Sequence, residues 1–132
     1  MKNVYIVEPL KGAAVGQLIN YNTRKSVYDR VSGYILNLEH KTGWTKGKWF
    51  MLALGFRPEN PEHVKMLARQ IHFDSSRAIF KGIMHYGKKY DLFLDITGPN
   101  GKTITGIKTG WQIDEGSDFI RLLTVLPPKK NR

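Results

Sequence analysis

The run from 87 to 128 constrains the fold of this chain most strongly, because it contains three segments in which residue types alternate at a period of two. In the first of them every second residue is apolar: Tyr90, Leu92, Leu94 and Ile96. Gly98-Pro99-Asn100-Gly101 follows, and Asn-Gly accepts the positive φ angles of a tight hairpin turn. A looser turn at Asp114–Asp118 precedes the third segment. Alternation of this kind puts one set of side chains on each face of a strand, which predicts an antiparallel meander.

Upstream of the meander, apolar residues recur at intervals of three and four, which is typical of helices. One such series follows Ser26: Val27, Val31, Ile35 and Leu38. Ser26 or Thr23 is the expected N-cap of this helix. The pattern then predicts a short helix over Lys48–Leu54 that ends at Gly55, and another from Pro61 to His72.

Two extended segments complete the predicted order of elements. Ser75–Met84 is the expected first strand of the sheet, and Asn3–Val7 is a short candidate edge strand. Helices followed by strands predict an α+β fold, with N-terminal helices packed on a C-terminal antiparallel sheet of about four strands. At 132 residues we expect a single domain. Its parts are an N-terminal helical or extended segment (1–33), a helical half (34–74), the meander (75–127) and a basic tail (128–132).

The charge balance is the strongest signal in the composition. The chain carries 21 Lys and Arg against 11 Asp and Glu, a formal net charge of +10. Such an excess favours contact with nucleic acid or another acidic macromolecule, although a merely soluble basic surface is the ordinary alternative. The absence of cysteine excludes disulfides and thiolate metal sites, and the four histidines lack metal-binding spacing, so we expect no cofactor. No apolar run has the length of a membrane span, and we expect a soluble domain.

A basic cluster precedes the second predicted helix. It places His40 and the cations Lys41, Lys46 and Lys48 within nine residues. Metal-free RNA cleavage uses groups of this kind, because a base must deprotonate the 2′-hydroxyl, an acid must protonate the leaving 5′-oxygen, and cations stabilise the charge that develops on the phosphate. A solvated basic loop is the alternative explanation.

Three polar residues stand out in the predicted strands: Lys108, Arg121 and Thr124. Strict alternation puts Lys108 on the face opposite Trp111, and Arg121 on the face opposite Thr124. The three therefore share one site only if a bulge or sheet curvature intervenes. Taken singly, Arg121 is also explained as a surface cation paired with an acid, and Thr124 as an ordinary strand residue.

Aromatic side chains offer stacking faces to unpaired bases. Trp44 lies in the basic cluster and is the best candidate, whereas Trp49 and Trp111 sit at periodic positions and are expected in the core. The predicted RNA-binding set is Lys41, Trp44, Lys46, Tyr86, Lys88 and Lys108. Asp91 and Asp95 share a strand face, which is a weak pattern for a divalent metal.

Several short motifs, in a fixed order, resemble a known group of sequences. They include Tyr34-Ile35-Leu36-Asn37-x-x-His40, Gly47-Lys48-x-Phe50, Tyr86-Gly87-x-x-Tyr90, Trp111-x-Ile113-Asp114-x-Gly116 and Arg121-Leu122-x-Thr124-x-x-Pro127. Together, over residues 34–127, they resemble a poorly characterised domain family found at the C-termini of bacterial polymorphic toxins and in some phage-type proteins. The helices-then-sheet order is similar to the barnase/EndoU/colicin/RelE group of metal-independent ribonucleases.

The resemblance implies a ribonuclease toxin of a contact-dependent growth inhibition system, which cleaves tRNA by 2′-hydroxyl attack. It implies delivery to the cytoplasm of a target bacterium as part of a larger secreted or surface effector, with no membrane anchor in this domain, and neutralisation by an acidic immunity protein. The implied catalytic set is His40 as acid and base, Lys48 and Arg121 as phosphate-binding cations, and Thr124 as a hydrogen-bond donor, with Lys108 nearby.

Two other functions fit the sequence. A non-catalytic nucleic-acid-binding module needs the basic surface but not His40. A protein-interaction domain, such as a phage structural or adaptor piece, needs neither, and its affinity for nucleic acid would show almost no dependence on salt.

Overall fold

The structure, a computed structural model, describes residues 18–36, 44–84 and 86–128, without the side chains of 44–46 and 84. Helix α1 spans Tyr21–Arg30 and continues into a π-helical turn over Val31–Ile35, and helices α2 and α3 span Trp44–Leu54 and Pro61–Gln70. The strands are β1 (Ile79–Met84), β2 (Gly87–Thr97), β3 (Thr103–Asp114) and β4 (Ile120–Leu126). They form an antiparallel sheet in the order β1-β2-β3-β4. The predicted α+β fold, with the helices packed on a four-stranded antiparallel sheet, is confirmed.

Helix α1 begins earlier than the apolar spacing predicts. Asn20 is its N-cap: the Asn20 side chain accepts a hydrogen bond from the Asn22 N–H at 3.0 Å, and the Thr23 hydroxyl accepts one from the Asn20 N–H at 3.2 Å. This capping box fixes the first turn. The prediction that Ser26 or Thr23 is the N-cap is therefore wrong, because Asn caps a helix as well as Ser does.

The other two helices are predicted correctly at one end each. Gly55, with φ of +81°, follows the last residue of α2. The start of α2 at Trp44 corrects the predicted start at Lys48, because the first turn lacks the apolar periodicity that marks a helix in sequence. Pro61 opens α3, whose N-cap is Asn60, and α3 ends at Gln70 rather than at His72.

The first strand is shorter than predicted. Residues 75–77 form a turn in which the Asp74 carboxylate accepts hydrogen bonds from the Ser76 N–H at 3.0 Å and the Ser76 hydroxyl at 2.6 Å. Strand β1 therefore starts at Ile79 instead of Ser75. The predicted edge strand at Asn3–Val7 and residues 129–132 of the basic tail lie outside the described residues.

One face of the sheet, here called the inner face, packs against the helices. Its fully buried side chains include Tyr90, Leu92, Ile107, Trp111 and Ile120, which join helix residues such as Val31, Phe50, Leu54 and Leu67 in one core. The prediction that Trp111 is a core residue is confirmed. Its indole N–H donates to the Thr109 hydroxyl at 2.7 Å, and that hydroxyl donates to the Leu92 carbonyl at 2.6 Å, so these buried polar groups are paired.

The β2–β3 turn attaches α2 to the sheet. The Asn100 N–H donates to the Leu54 carbonyl at 3.2 Å, and the Asn100 side chain donates to the Ala53 carbonyl at 3.2 Å. A Cβ placed on Gly98 would lie 1.9 Å from the Leu54 carbonyl oxygen, a distance that no side chain tolerates. The predicted hairpin turn thus also packs directly against the C-terminal end of α2.

Helix α1 lies along the edge strand β4. The Leu122 N–H donates to the Ser26 hydroxyl at 3.1 Å, and this hydroxyl donates to the Thr23 carbonyl at 2.6 Å. A helix laid against an edge strand removes backbone donors from the sheet edge. Strand β4 is therefore held by β3 on one side and by α1 on the other.

Candidate functional site

A β-bulge in β4 brings Arg121 and Thr124 to the same face of the sheet. Gly110 pairs with Thr124, whereas the next residue of β3, Trp111, pairs with Leu122, so Leu123 is the additional residue. Strict alternation would put Arg121 and Thr124 on opposite faces, and the bulge corrects that expectation. Both side chains belong to the face turned away from the helices, here called the outer face.

The outer face consists of rows of residues that pair across the strands. Arg121 lies opposite Gln112, which pairs with Lys89. The next row contains Thr124, Gly110 and Asp91. The third contains Leu126, Lys108 and Phe93. Because alternate residues of a strand are about 7 Å apart, Arg121, Thr124 and Lys108 occupy three successive rows within one small area.

Arg121 is fixed by a carboxylate at the end of β3. Its Nε donates to Asp114 Oδ2 at 2.6 Å and one Nη donates to Asp114 Oδ1 at 3.2 Å. Gln112 Nε2 donates to the same Oδ1 at 2.7 Å. Hydrogen bonding from Arg121 holds the pKa of Asp114 below its ordinary value, so the pair is ionised at neutral pH. A guanidinium has five N–H donors, which leaves part of Arg121 able to bind an anion.

Lys108 is held beside a second carboxylate. Its Nζ lies 3.5 Å from Asp91 Oδ2, and Lys81 Nζ approaches the same oxygen at 3.9 Å. The Asp91 side chain is only 12% exposed, although it lies on the outer face. One carboxylate therefore positions two ammonium groups, and their combined charge exceeds its own.

Gly110 is buried on the outer face and leaves room for the Thr124 hydroxyl beside it. A Cβ placed on Gly110 would lie 3.0 Å from the Thr124 hydroxyl, and the Thr124 side chain is exposed. A ligand therefore has access to this hydroxyl from above the sheet, between Arg121 on one side and Lys108 on the other.

Phe93 was missed by reasoning from the sequence. It is 42% exposed and lies in the same row as Lys108. Its signal was present, because strand alternation places this large aromatic between Asp91 and Asp95 on the polar face. Exposed aromatic rings on a sheet are stacking platforms for unpaired bases.

The structure distributes the other predicted site residues over several places. Lys48 is exposed on α2, in the layer of helices that covers the inner face, and no hydrogen bond or ion pair of the described residues links it to Arg121 or Thr124. Tyr86 is 86% exposed at the β1–β2 turn, with φ of +63°. Lys88 pairs with Ile113 of β3. By the alternation of the strands, these two positions belong to the same set as Tyr90 and Trp111, and not to the outer face.

The remaining predicted residues are described in part or not at all. His40 and Lys41 lie outside the described residues, and Trp44 and Lys46 are described only as backbone of α2. Within the described ranges, no three His, Asp or Glu side chains form a group that could hold a metal ion. No helix in those ranges is long and apolar enough to cross a membrane.

Comparison with known proteins identifies a family. Residues 17–129 match the family described as Domain of unknown function (DUF6883). No match was found among curated proteins or among solved structures. The matched range includes all helices and strands described above. The chain is therefore a member of the DUF6883 family, whose description states no activity.

Proposed function

We propose that this chain is a toxin domain that cleaves RNA without a metal ion and binds the RNA backbone on its outer face. The observation that carries the proposal is the bulge at Leu123, which aligns Arg121 and Thr124 on one face, with Lys108 in the next row. A bulge that re-aims polar side chains is common next to active sites. The net charge of +10 supports a polyanionic substrate.

Each of the three residues suits a phosphodiester in a different way. Arg121 offers its remaining N–H donors to a non-bridging oxygen, and the Asp114 pair keeps the guanidinium in place. The Thr124 hydroxyl is an exposed donor beside Gly110. Lys108 supplies a point charge. Donors fixed in advance stabilise the extra negative charge of the pentacoordinate phosphorus without reorganising.

The proposed reaction is an internal transfer. The 2′-oxygen forms a bond to the adjacent phosphorus while the bond from phosphorus to the 5′-oxygen breaks. A base takes the proton of the 2′-hydroxyl, and an acid gives a proton to the departing 5′-oxygen. We assign both proton transfers to His40 from the sequence: it takes the proton of the 2′-hydroxyl and returns the same proton to the departing 5′-oxygen. Lys48 has no part in this step, because α2 packs on the inner face.

The proposal also includes a substrate, a cellular compartment and a partner protein. The substrate is tRNA in the cytoplasm of a target bacterium, reached as part of a larger effector. The matching immunity protein is acidic, because a complementary charge gives fast and specific association with a basic domain.

Expression of residues 1–132 from a tightly controlled promoter in a bacterial host tests this function. We expect growth arrest and a discrete tRNA fragment on a gel of total RNA. Arg121→Gln, Thr124→Val and His40→Ala should each abolish both effects. Arg57→Gln is the matched control, because it removes the same charge from the loop between α2 and α3, where Arg57 is exposed and paired with Glu59. Normal growth and intact RNA, with the folded protein present, would contradict the proposal.

A non-catalytic RNA-binding module is the second candidate, and exposed Phe93 beside Lys108 favours it. Four-stranded sheets with exposed aromatics bind single strands by stacking. This candidate predicts that purified protein retains RNA but leaves it uncut, and that Phe93→Ala weakens binding more than Thr124→Val does.

A further inference from the structure

Gly87, the first residue of β2, leaves room for a side chain of β3. A Cβ placed on Gly87 would lie 2.8 Å from Gln112 Nε2, 2.9 Å from Gln112 Cγ and 2.6 Å from the Ile113 carbonyl oxygen. These distances are shorter than the contacts that real Cβ atoms make. The φ angle of Gly87 is not positive, so its conformation does not demand glycine. Glycine is required here because Gln112 and the backbone of β3 occupy the space.

The Gln112 side chain that fills this space reaches the Asp114 carboxylate. Gln112 is only 3% exposed, although it lies on the outer face. Its Nε2 donates to Asp114 Oδ1 at 2.7 Å. A carboxylate otherwise turns readily about its last side-chain bond, because that torsion has a broad, roughly twofold profile. The Gln112 amide therefore selects the rotation in which the other oxygen, Oδ2, accepts from Arg121 Nε at 2.6 Å.

The backbone around Asp114 is also fixed. Asp114 pairs with Gly87, and its carbonyl accepts a hydrogen bond from the Ser117 N–H at 2.9 Å. The Glu115 N–H donates to the Tyr86 carbonyl at 2.7 Å, so the turn after β3 is held against the turn before β2. The backbone therefore places the Asp114 side chain, and Gln112 sets the rotation of its carboxylate.

We propose that Gln112 is a positioning residue for Arg121. Its amide holds the Asp114 carboxylate in one orientation, and the carboxylate in turn aims the guanidinium across the outer face. Gly87 provides the space that the Gln112 side chain needs. This inference rests on the proposed function, because Arg121 is the cation assigned there to the phosphate. A guanidinium that is fixed in this way stabilises developing charge without reorganising.

Solvent exchange of the Arg121 Nε–H, followed by side-chain NMR, tests the positioning directly. The signal is assigned by its absence from Arg121→Gln. Gln112→Met keeps the length of the side chain but removes the donor, so this exchange should become about fivefold faster, the effect of one hydrogen bond. The same variant should cut tRNA about tenfold more slowly or worse, because a small misplacement of a catalytic group is costly.

Gln70→Met is the matched control. Gln70 is a half-buried glutamine whose side chain binds the Thr97 N–H and carbonyl, each at 2.8 Å, at the other end of β2. Its replacement should lower the unfolding midpoint in urea but leave the Arg121 signal and the cutting rate unchanged. The double variant with Arg121→Gln and Gln112→Met should cut as slowly as Arg121→Gln alone, because Gln112 acts only through Arg121.

The outcomes separate the two proposals. If the wild type cuts no tRNA, the proposed function fails, and exchange of the Arg121 Nε–H still tests the positioning by Gln112. Unchanged exchange in Gln112→Met, or an equal acceleration in Gln70→Met, would overturn the inference. Additional slowing in the double variant would also overturn it, because Gln112 would then act independently of Arg121. If Gln112→Met fails to fold, Gln112→Asn decides in its place, because the shorter side chain withdraws the amide from Asp114.

Discussion

Arg121 is the residue on which the proposed outer-face site depends most. It holds Asp114 through two hydrogen bonds and lies in the same face as Thr124. Because the carboxylate binds one edge of the guanidinium, the orientation of the other edge is fixed before any ligand arrives. The ion pair is partly exposed, so it contributes little to the stability of the fold, and its main effect is to fix the orientation of the guanidinium.

Removal of Arg121 should be visible in the titration of its partner. In Arg121→Gln we expect the pKa of Asp114 to rise towards its ordinary value of about 3.9, because the charge and the paired donors that favour the carboxylate are lost. In the wild type the pKa is lowered, so this carboxylate stabilises the fold above the unfolded pKa and the effect disappears as the pH falls through the folded pKa. NMR titration of the side-chain carboxyl measures the pKa of Asp114 in the wild type and in the variants. An unchanged pKa in Arg121→Gln, or an equal rise in Arg57→Gln, would contradict the assignment.

At the scale of elements, the sequence predicts what depends on regular spacing. Residues 90–97 alternate without interruption, and Asn100-Gly101 marks the turn, so β2 and its hairpin follow directly from the sequence. The Gly55 end of α2 and the Pro61 start of α3 also follow, because each residue has a strong backbone preference.

The remaining features depend on tertiary structure. The bulge at Leu123 adds one residue between Leu122 and Thr124. Because the apolar residues of β4 occupy both sets of alternating positions, the alternation pattern does not reveal this bulge. From the sequence, Arg121 and Thr124 therefore share a face only on the assumption of a bulge or of sheet curvature. The sequence misplaces the start of α1 because four residues of cap-forming type, Asn20, Asn22, Thr23 and Ser26, lie within seven residues.

Ser26 should matter for the packing of α1 on β4. Ser26→Ala removes the acceptor of the Leu122 N–H, which is partly buried, and should destabilise the fold by about 1–3 kcal/mol. Ser32→Ala removes an exposed hydroxyl that donates to the Tyr28 carbonyl and should change the stability by less than about 0.5 kcal/mol. Urea unfolding measures both, and hydrogen exchange at Leu122 should accelerate only in Ser26→Ala. Equal stability of the two variants would show that the edge contact contributes nothing.

At the scale of the whole molecule, the excess of positive charge should make RNA binding depend on salt. For a single strand, the logarithm of the affinity falls with the logarithm of the salt concentration by about 0.7 per phosphate contacted. Lys108→Gln should reduce this slope by about one such contact, and Arg57→Gln should leave it unchanged. Filter binding at several salt concentrations gives the slope. A wild-type slope near zero would favour the protein-interaction alternative instead.

The chemistry at the ends of the cut RNA tests the central claim most directly. Purified wild-type protein is incubated with bacterial tRNA in the presence of EDTA, and the fragments are analysed by mass spectrometry. Metal-independent attack by the 2′-hydroxyl predicts fragments with a 2′,3′-cyclic phosphate on one side of the cut and a 5′-hydroxyl on the other. Arg121→Gln and Thr124→Val should slow their formation at least about a hundredfold, a typical loss for one transition-state donor, while Arg57→Gln cuts normally. Intact tRNA, or fragments with 5′-phosphate and 3′-hydroxyl ends, would contradict the account.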